Sequence, residues 1–465
     1  MNANNNRHYY PLDKWHLIKI VFILHGISAL LPWNMLINAD SYFVDYKLVR
    51  PNQTTTAPFS LDNVDAGLNI TEIIHSDLLE NYRQNFLPYL STASKVPNII
   101  FQLVNLLFSS SPRSYRIRMN VSFLVQIALF IIMIGLAFID TSEWPVVFFW
   151  ITMIIAVLFN TVNGIFQSCI YGFVAKFPMK YINFVTFGFS FSGTIASIFL
   201  IVSLMLSPHP RTVALYYFSF ATAFMILCYV NEIFLTKNRF FRYYFYGHAN
   251  QKLAAHDNPL QVQAKNGDLQ MDNVNNIIQH ENEKNEKMTI KTFKLVWNKC
   301  WIQLMNSVLI YFSTFVIFPA IQAAIKPLDS IVEQKFFAPV FCFLFFNTFA
   351  SIGNYVAERI RRPEPAGLIY LVAIRFLFIP FFLFCNYIPD RRTWPVLIQS
   401  DYVYILGSAS LAFSNGYASS LAMMYAPKCV PQQYAPISGM MASAAVIIGI
   451  IIGVQCSMLF QALIT

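Results

Sequence analysis

The chain has 465 residues, of which 56% are hydrophobic, 16% are aromatic and only 12% are charged. This composition departs from that of soluble proteins in the direction of membrane proteins, and it leaves little room for a second soluble domain. The formal net charge is +9, but Lys and Arg fall mainly in connections between apolar segments, where they set membrane topology. Charge placement therefore argues against a nucleic-acid-binding protein.

Windows of about 19 residues with almost no charge recur along the chain and predict transmembrane helices. They predict an all-α polytopic membrane protein with eleven spans, at 20–43, 86–108, 119–139, 146–173, 183–206, 213–235, 301–323, 337–357, 367–388, 401–424 and 435–462. Residues 1–19 are too polar for a cleaved signal peptide. We therefore expect the first span to remain as an anchor behind a cytosolic N-terminus.

Short basic connections indicate which ends of the spans face the cytosol. The connection after the second span and those around Lys176 and Arg361 are basic, so the positive-inside rule places them in the cytosol. The loop at 44–85 is then extracellular, and glycosylation of its sequons at Asn52 and Asn69 would confirm this. A third sequon, at Asn120, abuts the third span on the cytosolic side and is expected to stay unused. The C-terminus is expected to end outside.

One long break, 237–299, interrupts the apolar segments. It is rich in Asn, Gln and Lys, and it predicts a mobile cytosolic linker. The linker separates an N-terminal six-helix bundle, 20–236, from a C-terminal five-helix bundle, 300–465. This is the layout of a transporter whose two bundles rock around a central site. No exact short repeat demonstrates that symmetry.

Polar side chains recur inside several predicted spans, where they line a helix contact or a water-filled path. A proline in the first span can open the helical hydrogen-bond ladder, and three amides in the fourth span share one helical face. The candidates are Pro32, Trp33, Asn34, Asn160, Asn163, Gln167, Asn347, Asn354 and Asn415. For each of them, packing or interhelical hydrogen bonding without ligand contact is the alternative.

Full charges inside the predicted spans are rarer. Lys95 and Arg375 lie well inside the second and ninth spans, where an unpaired cation costs several kcal/mol on most scales. Both are functional candidates, although Lys95 can also snorkel to the interface. No acidic residue lies deep in a span. This argues against carboxylate-based proton or sodium coupling and favours movement down a gradient.

The sequence lacks the motifs of membrane enzymes, such as a metal-binding HExxH helix, a GxSxG elbow or a phosphate-binding glycine loop. His25 is a lone histidine in the first span, a setting typical of a structural group. The seven cysteines lack the paired spacing of zinc or redox sites. We therefore expect no enzymatic activity, no cofactor or metal and no obligate protein partner. The expected partners are a small solute and the lipid bilayer.

Ordered motifs from the first span to the tenth resemble those of the equilibrative nucleoside transporters, the solute carrier 29 group. They are Leu31 to Asn34 with Tyr42-Phe43; Gln167 with Tyr171-Gly172; Pro178 and Tyr181 before Gly188 and Gly193; Phe241 to Tyr244; Phe318-Pro319-Ala320; Phe346-Asn347 with Gly353; Arg375 with Phe378 and Pro380; and Ser414 to Tyr417 with Pro427-Lys428. The resemblance implies a major-facilitator-like fold lacking the twelfth helix. It also implies sodium-independent movement of nucleosides, sometimes nucleobases, by alternating access.

The resemblance implies a set of substrate-binding positions as well. They are Leu30, Trp33, Asn34, Lys95, Asn98, Gln167, Phe343 and Asn347, with Ala350 and Asn354 further along the eighth span. We expect Gln167 to hydrogen-bond the base and Trp33 and Phe343 to form apolar walls, since a flat base needs such walls and its polar atoms need amide partners. Asn34 and Asn347 touch the solute or hold helices. Structural or gating roles are expected for Pro32, Asn163, Gly193, Arg375 and Asn415.

Three departures from the family pattern bear on the substrate. Ala350 and Asn354 stand where the family usually has an Asp and, four residues later, an Arg; Phe189 replaces a Gln; and Lys95 occupies a position that is commonly apolar. One hypothesis is that Lys95 supplies the donor lost with the arginine. The alternatives are a transporter of the same fold for another small solute and a non-transporting membrane receptor or scaffold. The expected location is the plasma membrane, with an internal membrane left open.

Overall fold

The computed structural model describes residues 13, 16–39, 42–49, 78–83, 86–107, 112–207, 209–235, 237–246, 290–328, 337–387 and 392–464. These residues are helical apart from connections and one isolated bridge between Ile325 and Tyr387. The long helices are α1 (Leu17–Asn38), α2 (Phe86–Leu107), α3 (Pro112–Phe138), α4 (Pro145–Val174), α5 (Lys180–Leu206), α6 (Pro210–Leu235), α7 (Ile290–Phe315), α8 (Phe345–Arg359, preceded by a π-helix at Ala338–Leu344), α9 (in two pieces, Leu368–Arg375 and Phe378–Leu383), α10 (Asp401–Lys428) and α11 (Ala435–Ile464).

Several of these helices meet the length and hydropathy that a membrane span requires. Among the described residues, seven segments do so: Leu17–Asn38, Ser114–Phe138, Pro145–Val174, Lys180–Leu206, Pro210–Leu235, Ala338–Arg359 and Gln432–Gln461. Large apolar side chains such as Ile154, Met205 and Leu459 are exposed on their outer surfaces, as expected of side chains that face lipid. The prediction of an all-helical, multi-pass membrane protein is confirmed. The total of eleven spans and the sides of the termini stay predictions.

The first, third, seventh and ninth predicted spans differ from the helices: α1 ends at Asn38 instead of 43, and α7 runs from Ile290 to Phe315 instead of over 301–323. The third span was placed from 119, whereas α3 begins at Pro112; a hydropathy window stops at charged residues, but a helix can continue through them into the interface. The ninth span is interrupted between Arg375 and Phe378. Pro380 lacks the N–H that would bond to the carbonyl of Phe376, which accounts for a break at this point.

Helices extend into both ends of the segment 237–299 that the sequence predicts to be a mobile linker. A short helix, Arg239–Tyr246, follows α6. It packs its aromatic rings on the end of α4, where Phe241 and Phe245 lie 5.4 and 4.7 Å from Phe173, centroid to centroid. Helix α7 begins at Ile290, ten residues before the predicted bundle boundary. The remaining residues, 247–289, lie outside the described part of the chain.

The helix packing repeats along the chain with an offset of six helices. Helix α1 packs on α5 as α7 packs on α11, and α2 packs on α4 as α8 packs on α10. Between the halves, α5 packs on α8 as α11 packs on α2, and α4 packs on α11 as α10 packs on α5. Such a repeated pattern is what an internal pseudo-two-fold relation produces.

Glycines allow the closest of these helix crossings. At the crossing of α1 and α5, a Cβ atom on Gly26 or on Gly188 would collide with the backbone of the other helix. In the second half, α8 and α10 approach through Gly353 and Gly416, whose missing Cβ atoms leave room for the backbone at Phe413 and Ala350. Small residues at such contacts let helices pack tightly in lipid, where the hydrophobic effect does not drive their association. The tight pairs fix the helices that carry the polar residues described next.

Candidate functional site

The predicted solute-binding residues lie on α1, α2, α4 and α8 and in the π-helix before α8. On α1, Pro32 lies inside the helix beside the half-buried Trp33 and Asn34, with Leu30 one turn before them and also half-buried. Lys95 and Asn98 on α2 and Gln167 on α4 are buried, and Phe343 and Asn347 before and in α8 are half-buried. Side-chain contacts join them in separate groups: Lys95 with Trp33, Asn98 with Gln167 through Gln102, and Asn34 and Asn347 each with α5.

Lys95 contacts the site through an aromatic ring. Its Nζ lies 3.8 Å from the centroid of the Trp33 ring, and the residue is 8% exposed. No hydrogen bond or ion pair joins its ammonium to another described residue. A desolvated cation–π contact stabilises by about 2 kcal/mol or more, which is less than a fully buried cation costs. The ammonium therefore has donor capacity left for a solute.

An amide chain connects α2 to α4. Asn98 Nδ2 donates to the carbonyl of Asn160 at 3.3 Å, and Gln102 Nε2 donates both to Asn98 Oδ1 at 2.8 Å and to Gln167 Oε1 at 3.1 Å. Gln167 Nε2 in turn donates to the carbonyl of Ala29 on α1 at 3.4 Å. Gln167 is therefore held by hydrogen bonds to two helices. The sequence analysis did not single out Gln102, although it lies four residues after Asn98 on the same helical face.

Helices α1, α5 and α8 meet through smaller polar groups. Asn34 Nδ2 donates to Ser192 Oγ at 3.1 Å. The neighbouring Gly193 leaves space that the amide of Asn347 fills, and Asn347 Nδ2 donates to the carbonyl of Phe343 at 2.9 Å. Asn34 and Asn347 thus contact neighbouring residues of α5. The amide of Asn34 bonds to α5, whereas the hydrogen bond of the Asn347 amide stays within its own helical segment.

The two positions that replace the family's Asp and Arg do not join this group of contacts. Ala350 is buried where α8 crosses α10, against Gly416. Asn354 is fully buried; its Nδ2 donates to Ser190 Oγ at 2.7 Å and its Oδ1 accepts from Ser420 Oγ at 2.7 Å. Its backbone carbonyl also accepts from Asn183 Nδ2 at 2.8 Å. Asn354 thus joins α8 to α5 and α10, and its side chain is engaged within the protein.

Arg375 is held by neutral acceptors at the junction of α7, α9 and α10. One terminal nitrogen, Nη1, donates to Ser414 Oγ and to the carbonyl of Leu411 at 3.2 Å, and Nη2 donates to Thr314 Oγ1 at 2.5 Å. Thr314 Oγ1 also donates to Asn415 Oδ1 at 2.9 Å. The guanidinium is 1% exposed. This arrangement fits the structural role expected for Arg375 and Asn415.

Asn163 lies on the same face of α4 as Gln167 and is buried, and no hydrogen-bond partner reaches its Oδ1. The neighbouring Asn160 donates from Nδ2 to the carbonyl of Ala156 at 2.9 Å. Next to Asn163, α4 approaches α2 closely, because a Cβ atom on Gly164 would collide with the backbone of Asn98.

A second buried polar cluster lies away from the candidate site. His25 Nε2 is 3.2 Å from Glu232 Oε2, and Arg116 Nε is 3.5 Å from Glu232 Oε1. His25 and Glu232 are fully buried, and the cluster joins α1, α6 and α3. The sequence analysis treated His25 as a lone structural histidine and did not pair it with Glu232, because residues 207 positions apart are not related by helical spacing. Within the described residues, no group of three or more His, Cys, Asp or Glu side chains is placed to hold a metal ion.

Comparison with solved structures identifies the fold. The major facilitator superfamily proton:xylose symporter XylE, bound to 6-bromo-6-deoxy-D-glucose, matches 96% of this chain and 88% of its own with a TM-score of 0.56 at 11% sequence identity. At this identity the similarity concerns the fold alone. The chain therefore has an all-helical, major-facilitator-like transporter fold.

Comparison of sequences identifies the family. The family model described as Nucleoside transporter matches residues 153–462. Equilibrative nucleoside transporter 3 of Rattus norvegicus is 30% identical over 97% of this chain and 90% of its own length. Equilibrative nucleoside transporter 2 of Homo sapiens is 28% identical over 98% of this chain and 99% of its own length. The match covers both halves of the helix repeat and every helix that carries the candidate site, so this chain belongs to the nucleoside transporter family.

Proposed function

We propose that this protein carries nucleosides across a membrane by facilitated, sodium-independent transport. The observation that carries the proposal is family membership over nearly the whole chain, on a transporter fold. The site adds a physical reason, since it combines aromatic walls with buried amides in the middle of the helices. A flat base needs the aromatic walls, and the ring nitrogens and ribose hydroxyls need the amides.

The proposed mechanism is alternating access between two bundles, 20–236 and 300–465, joined by the linker at 237–299. The six-helix offset in packing supports this division, because each bundle repeats the helix pairs of the other. The site lies where the bundles meet: Trp33, Lys95 and Gln167 come from the first, and Phe343 and Asn347 come from the second. Rocking of one bundle against the other exposes the solute to each side in turn.

Within this site we assign the base to the space between Trp33 and Phe343, with Gln167 as its hydrogen-bonding partner. Lys95 takes the place of the polar anchor that the family usually has in the eighth helix, because the side chain of Asn354 is engaged with Ser190 and Ser420. The unpaired ammonium of Lys95 supports this assignment. It offers a strong donor at the level of the Trp33 ring.

A second candidate function is transport of another small solute by the same fold. The specific observation in its favour is that Ala350 and Asn354 provide no charged pair, while Lys95 adds a cation. A lone cation disfavours cationic solutes and favours neutral or anionic ones. A third candidate is a membrane receptor or scaffold without transport. The same altered residues, Ala350, Asn354 and Lys95, are compatible with it, and it differs from the transporters in lacking saturable uptake.

The proposed location is the plasma membrane, with the N-terminus in the cytosol, the C-terminus outside and glycans at Asn52 and Asn69. Both asparagines lie outside the described residues. The basic connections after α2 and after α8 support this orientation by the positive-inside rule.

The test is uptake of radiolabelled uridine and adenosine by transporter-deficient cells that express the chain, with and without sodium and at neutral and acidic pH. Saturable uptake that is unchanged on replacing sodium supports the proposal. Saturable uptake of other solutes but not of nucleosides would favour the second candidate. Saturable binding without uptake, by protein shown at the surface, would favour the third.

A further inference from the structure

We propose that Gln102 is a positioning residue that orients Gln167, so that the Gln167 amide donates a hydrogen bond to an acceptor atom of the solute. The proposal rests on the proposed function and concerns which polar edge of the base is recognised. Gln102 is 1% exposed and lies one helical turn beyond Asn98 on α2.

An amide side chain can be turned over to exchange its donor and its acceptor, so its orientation must be fixed by its partners. Here both ends of the amide chain terminate at backbone carbonyls, which only accept. The carbonyl of Asn160 receives Asn98 Nδ2, and the carbonyl of Ala29 receives Gln167 Nε2. Asn98 Oδ1 and Gln167 Oε1 are therefore both turned toward Gln102. Among the described residues, Gln102 Nε2 is the donor that reaches both oxygens, one with each of its two N–H groups.

The remaining polar atom of Gln102 is engaged as well. Its Oε1 accepts from Ser443 Oγ on α11 at 3.1 Å. Turning the Gln102 amide over would set its oxygen against the two amide oxygens of Asn98 and Gln167. Gln102 thus has one orientation that satisfies all of its neighbours, and through it Gln167 has one orientation.

Of the two hydrogen bonds of Gln167, the longer one is to α1. The bond from Gln167 Nε2 to the Ala29 carbonyl is 3.4 Å, against 3.1 Å for the bond from Gln102. Hydrogen bonds of this length are near the limit of useful geometry. Ala29 immediately precedes Leu30, which lies one turn from Trp33. A solute acceptor that replaces the Ala29 carbonyl gains the N–H of Gln167 without disturbing Gln102.

The chemical class that follows is a base that presents an acceptor, either a ring nitrogen or a carbonyl oxygen, to α4. A base edge with only donors would set its N–H group against the N–H group of Gln167. Neither donor would then have an acceptor. Gln102 sets this preference from outside the solute contact. Removal of the Gln102 amide should therefore change the discrimination between solutes with and without the acceptor. It should change transport of solutes that lack the acceptor less.

The experiment compares uptake of adenosine with uptake of its 1-deaza, 3-deaza and 7-deaza analogues, each of which lacks one ring-nitrogen acceptor. The chains are the wild type, Gln102→Asn and the matched control Gln126→Asn. An asparagine at 102 is too short to bridge Asn98 and Gln167. Gln126 is a buried glutamine of α3 whose side-chain nitrogen and oxygen have no hydrogen-bond partner among the described residues. Surface biotinylation normalises each uptake rate to the amount of protein at the cell surface. Gln102→Met serves as a second variant if Gln102→Asn does not reach the cell surface.

In the wild type and in Gln126→Asn, we expect one deaza analogue to be carried about two- to tenfold less efficiently than adenosine, the effect of one neutral hydrogen bond. In Gln102→Asn that penalty should shrink to within about twofold, because Gln167 can then turn its oxygen to the solute. A penalty that persists in both Gln102 variants overturns the inference, as does a wild type without any deaza penalty. Absence of adenosine uptake by the wild type would instead overturn the proposed function on which the inference rests.

Discussion

At the residue scale, the buried cations Lys95 and Arg375 have different surroundings. Arg375 donates to a backbone carbonyl and to the hydroxyls of Ser414 and Thr314, so both of its terminal nitrogens are used within the protein, although its Nε has no partner among the described residues. Lys95 has the face of the Trp33 ring and no acceptor among the described residues. A cation whose donors are used stabilises its surroundings, whereas one with free donors is available to a ligand. We therefore assign Arg375 to the framework and Lys95 to the solute.

Replacing Lys95 by methionine tests this assignment. Methionine is one atom shorter and can still pack its apolar side chain on Trp33, but it removes the ammonium and with it the donor. If the ammonium hydrogen-bonds the solute, Lys95→Met should lower the ratio of maximal uptake rate to half-saturating concentration by about ten- to a hundredfold, the range for a charged hydrogen bond. The measurement is concentration-dependent uridine uptake normalised to surface protein.

The control for this variant is Lys291→Met, which makes the same change at an exposed lysine of α7. Uptake by Lys291→Met should match the wild type. Undiminished uptake by Lys95→Met would contradict the role of Lys95 as the polar anchor. Greater uptake of a cationic nucleoside by Lys95→Met than by the wild type would show in addition that the ammonium repels such solutes.

At the element scale, the crossing of α1 and α5 determines where the first half of the site lies. Helix α1 carries Trp33 and Asn34, and α5 carries Ser192 and Gly193. The two helices approach at Gly26 and Gly188, each of which faces the backbone of the other helix. Since close-packed interiors do not absorb an added methyl group without movement, this crossing sets the distance between the two polar segments.

Gly188→Ala should therefore destabilise the protein by about 1–3 kcal/mol, because its new methyl group meets the backbone at Ile23. The matched control is Gly135→Ala in α3, where no atom lies within 4 Å of the added Cβ. The control should be neutral or slightly stabilised, since alanine is the better helix former. Thermal unfolding of the detergent-solubilised variants measures both effects. Equal melting temperatures for the two variants would contradict a tight crossing at Gly188.

Hydropathy predicted the helices of this protein better than it predicted their contacts. Each predicted span overlaps a helix or a pair of helical pieces, because the bilayer requires about twenty apolar residues and internally satisfied backbone. Periodicity also placed Asn160, Asn163 and Gln167 on one helical face, and all three are buried. It could not show that Gln102 joins Asn98 to Gln167 or that Asn354 turns to α5 and α10. Those contacts depend on which helices are neighbours, and a single sequence does not contain that information.

At the scale of the whole molecule, most of the side-chain hydrogen bonds between the two halves lie toward one face. Asn354, near the end of α8, bonds to α5, and Ser443, near the start of α11, bonds to Gln102 in the last part of α2. In the predicted topology successive helices run in opposite directions, so the connections after α2, α8 and α10 all lie on this face. It is the face predicted to be cytosolic. In an alternating-access cycle these bonds must break when the cytosolic side opens.

The orientation of that face can be tested with the three sequons. If the proposed topology is correct, a glycosidase should shift the electrophoretic mobility of the wild-type protein expressed in mammalian cells. The shift should be lost in the double variant Asn52→Gln, Asn69→Gln and be unchanged in Asn120→Gln. Asn120 lies within α3, near the connection after α2. Its helical backbone and its predicted cytosolic side both keep it from the glycosylation machinery, which acts on accessible, translocated loops.

The opposite result would reverse the predicted membrane orientation as well as the glycan assignment. A shift that persists in the double variant and disappears in Asn120→Gln would place the connection after α2 outside. The hydrogen bonds of Asn354 and Ser443 would then close the extracellular side, and the solute would have access from the cytosol in this conformation. Because the basic connections follow α2, α4 and α8 alike, such an inversion would also require this chain to violate the positive-inside rule at three separate places. We therefore expect the glycans on the loop between α1 and α2.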